Sequence, residues 1–102
     1  MPLYITATYE VNLEAVERVK QAIQEFVLYI KANEPGTQMY VAWQQQHAPN
    51  RFIHFFIFEN EAAKAIHSES AAVKRFESVY GPELVGGDVV FTDFDSVASK
   101  IL

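Results

Sequence analysis

Leu3, Ile5, Ala7 and Tyr9 alternate with Tyr4, Thr6, Thr8 and Glu10. This period of two, rich in β-branched and aromatic residues, predicts a strand from Leu3 to Glu10. Asn12 then offers a side-chain oxygen to the free amides of a helix start. Val16, Val19, Ile23, Phe26, Val27 and Ile30 recur at helical spacing, with Glu14, Arg18, Gln21 and Glu25 on the wet side. The helix should stop near Asn33, because Pro35 disfavours helical geometry at Glu34 and Gly36 supports a turn.

A second strand is predicted from about Thr37 to Gln46, followed by a polar hairpin-type connection at Ala48-Pro49-Asn50. Phe52 to Phe58 is apolar on both faces apart from His54, the pattern of a strand buried on both sides. Asn60 can cap a short helix carrying Ala62, Ala63, Ala65 and Ile66. Ser70 can cap another with Val73, Phe76, Val79 and Tyr80, which Gly81 and Pro82 end. Gly86-Gly87 reads as a turn into a last strand, Asp88 to Phe94, and Asp95 or Ser96 as the start of a short helical tail to Leu102.

The order strand, helix, strand, strand, helix, strand predicts an α+β fold. It is the ferredoxin-like split βαβ arrangement, with a four-stranded antiparallel sheet and helices on one face. The other face would present Tyr4 or Ile5, Tyr40 or Val41, Phe52 or Phe55, and Val89 or Val90, whichever register holds. An apolar patch of that kind marks association, and a second copy is the simplest cover. A homodimer burying at least about 1,000 Å² is therefore expected.

With 102 residues, half of them apolar, the chain suits one domain spanning residues 1–102. Eight Lys and Arg stand against thirteen Asp and Glu, a net charge of -5 that repels nucleic-acid phosphates, so no nucleic-acid partner is expected. The absence of cysteine excludes disulfides, a thiolate nucleophile and a thiolate metal site. No run approaches the roughly 20 apolar residues of a membrane span, and Met1 to Glu10 does not resemble a leader. A cytoplasmic protein without membrane attachment is the expectation.

The stretch from Glu34 to Phe76 carries a more specific pattern. Pro35-Gly36-Thr37 is followed by Tyr40, Pro49-Asn50-Arg51-Phe52 opens the third strand, Phe58-Glu59 closes it, and Ala63 leads to His67 and Ser70. In these features the chain resembles the antibiotic biosynthesis monooxygenase family. The resemblance implies a dimeric α/β barrel, each half holding a pocket between sheet and helices. It also implies an oxidoreductase that uses molecular oxygen on a small aromatic or quinol-type compound, with no cofactor. Relatives degrade haem, isomerise signalling sugars or carry no known activity, so a non-catalytic small-molecule-binding or accessory dimer and a haem-binding relative are the alternatives. Many members have a glutamate where this chain has Phe56 and a second histidine where it has Ala72, and both departures leave a more apolar cavity.

His67 matches the family's most recognisable histidine and is the candidate catalytic residue. It stands at a helix junction, where an imidazole can serve structure or transfer a proton. His54 must either line the cavity or find a partner in the core. Tyr40, Trp43 and Phe56 can stack against a flat aromatic ligand, or simply pack. His47 falls in a turn. The three histidines lie on different elements without metal-ligand spacing, so no metal is expected. Gly86-Gly87 lacks the strand-to-helix setting of a phosphate loop, which leaves a nucleotide cofactor unsupported.

Overall fold

A computed structural model describes residues 1–100 of the chain. Strand β1 (Leu3–Val11) leads through a single 3₁₀ turn (Leu13–Ala15) into helix α1 (Val16–Asn33). Strands β2 (Thr37–Gln44) and β3 (Arg51–Phe58) follow, then helices α2 (Glu61–Ser68) and α3 (Ala71–Tyr80), a second 3₁₀ turn and strand β4 (Leu84–Phe94). The four strands form one sheet in the order β2-β3-β1-β4, with every neighbouring pair antiparallel. This is the α+β ferredoxin-like architecture expected from the element order.

Alternation decides what each face carries. Ile5, Ala7, Tyr9 and Val11 of β1 are buried, and Phe52, His54, Phe56 and Phe58 of β3 lie beside them in register. Helix α1 lays Val19, Ile23, Phe26 and Ile30 over this layer, and α3 adds Phe76 and Tyr80. The opposite face carries rows such as Trp43, Ile53, Thr8 and Val90, and Met39, Ile57, Tyr4 and Phe94. There β3 is only partly covered, with Ile53 and Phe55 half-buried.

Local signals set the helix starts. The side chain of Asn60 accepts from the Ala63 amide at 2.9 Å and that of Ser70 from the Val73 amide at 3.1 Å, as expected of both caps. Asn12 does otherwise. It makes no side-chain cap and instead donates to Glu83 Oε1 at 3.1 Å, while Arg18 holds Glu83 Oε2 at 2.8 Å. A tertiary partner thus takes the side chain that local spacing had assigned to the helix.

Three further expectations are corrected. β2 stops at Gln44, because His47 adopts a φ of 67° and turns the chain. Gly86 and Gly87 do not precede β4; they lie within it, at φ 76° and 113°, where its pairing with β1 shifts between Thr8 and Glu10. Glycine adopts positive φ without steric cost, so the two glycines bend a longer strand at this irregularity rather than open a short one. Residues 95–100 form no helix: Val97 is 97% exposed, and so short a helix cannot hold itself without an apolar face to pack. The end of the expected tail, at Leu102, lies outside the described residues.

Gly36 determines how the loop after α1 sits on α2. A Cβ at this position would stand 2.6 Å from the Ala63 Cβ, and the Gly36 carbonyl accepts from the Glu59 amide at 2.8 Å. Only a residue without a side chain allows that approach. Gly36→Ala should therefore lower stability by about 1 to 3 kcal/mol, the usual cost of forcing extra volume into a packed contact. A thermal melt unchanged from the native protein would contradict the assignment.

Candidate active site

A cavity of about 410 Å³ lies between the helix-side face of the sheet and the helices. Its walls are aromatic. Phe26 stacks on Phe76 at 4.9 Å, Tyr40 on Phe56 at 5.1 Å and Tyr9 on Tyr80 at 5.2 Å between ring centroids. Such a lining suits a flat apolar ring.

His54 sits in the middle of the sheet, where its flanking partners across β2 and β1 are Ala42 and Ala7. These small neighbours leave room for longer side chains from the diagonal positions. Tyr9, opposite Phe52, brings its hydroxyl to His54 Nε2 at 2.8 Å; Tyr40, opposite Phe56, brings its hydroxyl to Nδ1 at 2.7 Å. The imidazole is 1% exposed, and burial lowers its pKa from 6.5 to about 4. Burial acts in the opposite sense on the phenols, keeping Tyr9 and Tyr40 protonated and raising Tyr80 to about 12.

A second polar unit stands on the same cavity. His67, near the end of α2, brings Nδ1 to within 2.8 Å of Glu34 Oε1, and the Thr37 hydroxyl donates to the same oxygen at 2.8 Å. Glu34 follows the last residue of α1, and the close packing at Gly36 brings it under α2. An oxygen that accepts from Thr37 can also accept the Nδ1 proton, leaving Nε2 as the ring's free nitrogen. Among the described residues, Glu34 Oε2 is the one buried side-chain polar atom without a partner. The Tyr40 and His67 rings lie 5.8 Å apart, so the two polar units meet at Tyr40.

Of the residues singled out from sequence, His67, His54, Tyr40 and Phe56 all line this cavity. Trp43 does not. It is 61% exposed and packs on Phe55 at 4.9 Å, on the face turned away from the helices, because it is out of phase with Tyr40 and Ala42 along β2. Tyr9, Glu34 and Tyr80 were not singled out. The alternation of β1 placed Tyr9 in phase with Ile5 and Ala7, which was the available sign that it faces the helices. Glu34 gave no sign beyond its place before Pro35. Among the described residues no cluster of three or more His, Asp or Glu could hold a metal ion.

The family model for antibiotic biosynthesis monooxygenase matches residues 2–78. The chain belongs to this family. Similar solved structures include a protein of the same designation from Bacteroides thetaiotaomicron, with a TM-score of 0.88 at 16% identity over 97% of this chain and 92% of that one. Another, from Caulobacter crescentus, aligns with a TM-score of 0.85 at 20% identity over 95% and 91%. A third, from Nitrosomonas europaea, gives 0.83 at 16% identity over 94% and 90%. These likenesses show a shared fold. No curated protein matches the chain. No described helix is long and apolar enough to cross a membrane.

The depressed His54 pKa has a measurable consequence. The unfolded chain takes up this proton near pH 6.5 and the folded protein only near pH 4, so the folded state binds fewer protons in between. This contribution to stability is present above about pH 6.5 and is lost as pH falls towards 4, at about 1.4 kcal/mol per pH unit within the window. An NMR titration should find the His54 ring neutral down to about pH 5; a midpoint near 6.5 would contradict its burial.

Proposed function

We propose that this family member is a cofactor-independent monooxygenase-type oxidoreductase acting on a small aromatic hydroxy compound held between sheet and helices. The Glu34–His67 pair at the wall of the aromatic cavity carries the reading. With Nδ1 held by a buried carboxylate, Nε2 of His67 keeps its lone pair for an acidic proton of the ligand. Loss of a phenolic proton enriches the ring in electrons, and molecular oxygen is the oxidant. One oxygen atom enters the ring as a carbonyl; the other leaves as water with the two hydrogens the substrate gives up. The aromatic walls orient the ring for this attack.

Two features of this chain concentrate the proton chemistry on His67. Phe56 is part of the cavity wall and Ala72 is buried in the core, so neither position supplies a polar group. The same pair favours a second reading, haem ligation through His67 Nε2, because axial imidazoles are held by an outer carboxylate in the same manner. His54 has both ring nitrogens engaged by tyrosines and is not the ligand in that reading. A Soret shift on adding haemin supports haem; uptake of labelled oxygen with hydroquinones or anthrones, one labelled atom appearing in the product, supports the monooxygenase.

His67→Ala should reduce oxygen uptake by about 10²- to 10⁴-fold, the usual contribution of a proton-transfer group. It should also cost about 1 to 3 kcal/mol of stability by leaving the buried Glu34 carboxylate with Thr37 as its one remaining side-chain partner among the described residues. Uptake unchanged in a folded variant would sink the role of His67. Tight binding of the same compounds by the native protein without uptake would leave a binding module.

The outer face of the sheet supports a homodimer. Trp43, Val90 and Phe94 are exposed there, beside half-buried Val41, Ile53 and Phe55. Sheet-to-sheet packing of a second copy would remove this apolar surface from water. Light scattering at micromolar concentration should read twice the chain mass, and Phe55→Asp, placing a charge in the middle of the face, should read one chain. A native protein that scatters as a single chain would refute the dimer.

A further inference from the structure

The hydrogen-bond unit around His54 holds more hydrogens than it can use internally. Tyr9 bonds Nε2 and Tyr40 bonds Nδ1, and neither hydroxyl meets another hydrogen-bond partner among the described residues. Burial keeps the imidazole neutral and both phenols protonated. Two hydroxyl hydrogens and one ring N–H therefore serve two hydrogen bonds. In one tautomer Nδ1–H donates to Tyr40, Tyr9 donates to Nε2, and the Tyr40 O–H is left over. In the other tautomer the roles exchange, and the Tyr9 O–H is left over. A donor left without an acceptor is disfavoured at buried Tyr9 and, to a lesser degree, at half-buried Tyr40.

We infer that Tyr9, His54 and Tyr40 form a binding site for an acceptor oxygen, a carbonyl or phenolic oxygen, on a flat ring held in the cavity. The inference rests on the reading of the cavity as an aromatic site. All three residues line that cavity, and the stacked walls beside them suit a planar ring. The lining carries Lys64 against Glu77 and Asp93, a balance that disfavours carboxylate or phosphate ligands and leaves a less charged oxygen as the acceptor. Tautomer exchange moves the free donor between Tyr9 and Tyr40 without moving a heavy atom, so the unit follows the ligand oxygen to either position. His54 acts here as a positioning residue. Where a phenol is converted to a quinone, the donor remains matched to the product as well as to the substrate.

Menadione, a naphthoquinone with two carbonyl oxygens, and 2-methylnaphthalene, a ring of the same frame without them, test this. The double variant Tyr9→Phe/Tyr40→Phe should bind menadione about tenfold more weakly than the native protein, the size of one neutral hydrogen bond, while its affinity for 2-methylnaphthalene stays within about twofold. In the native protein, one of the Tyr9 and Tyr40 hydroxyl protons should move downfield in the NMR spectrum with menadione and neither with the hydrocarbon. That readout stands even where the variant does not fold. Equal responses to the two probes overturn the donor assignment and leave the aromatic cavity intact. Failure of the native protein to bind either probe overturns the reading of the cavity, and this inference with it.

Discussion

An imidazole buried at the centre of a sheet must have both nitrogens answered, and much of this structure follows from how that is done. His54 stands where β1, β2 and β3 run side by side, and the residues directly across from it are alanines. Their small size leaves the space that two tyrosines enter from diagonal positions. The Tyr9 and Tyr40 rings are then fixed at their hydroxyl ends by His54 and on their faces by Tyr80 and Phe56. A satisfied polar group in a low-dielectric setting rigidifies what surrounds it. The aromatic walls of the cavity are held by this means as much as by packing.

The second polar unit is built by a different route. Glu34, at the end of α1, is carried beneath α2 by the Pro35-Gly36-Thr37 turn, and Gly36 meets Ala63 at a distance no side chain would permit. Thr37 and His67 converge on the same carboxylate oxygen. The Pro35-Gly36-Thr37 turn and Glu34 thus act as a clamp on the imidazole at the cavity wall. The His54 unit and the His67 unit share Tyr40 as a neighbour, so one ring lies between a donor-rich site and a lone-pair site. Proposed proton removal and proposed oxygen binding would then occur a ring's width apart, within one apolar enclosure where polar contacts are stronger than in water.

The sheet separates its two faces by alternation alone. Tyr40 and Trp43 lie close in sequence on one strand, yet one is part of the cavity wall and the other is largely exposed beyond the sheet. A shift of one residue in register would exchange these roles along the whole strand. The helix-side face holds the residues of the proposed chemistry; the outer face carries the apolar surface on which the proposed association rests.

Periodicity and capping chemistry in the sequence were sufficient for the element order, the caps at Asn60 and Ser70, the end of α1 before Pro35 and the ferredoxin-like class, because each of these depends on neighbours a few residues away. The family pattern between Glu34 and Phe76 likewise pointed to His67 as a candidate, and the apolar surroundings of His54 required that it either line the cavity or find a partner in the core. Which partners it has was decided only in three dimensions. Tyr9 lies 45 positions from His54, and Glu34 lies 33 from His67, separations at which a single chain carries no local signal. The same holds for Asn12, taken by Glu83 from across the fold, and for Gly86 and Gly87, whose positive φ serves a bulge that exists only because β1 lies alongside. Local propensity determined the elements; strand register and the close approach at Gly36 determined the site, since both depend on contacts that form only when distant segments pack.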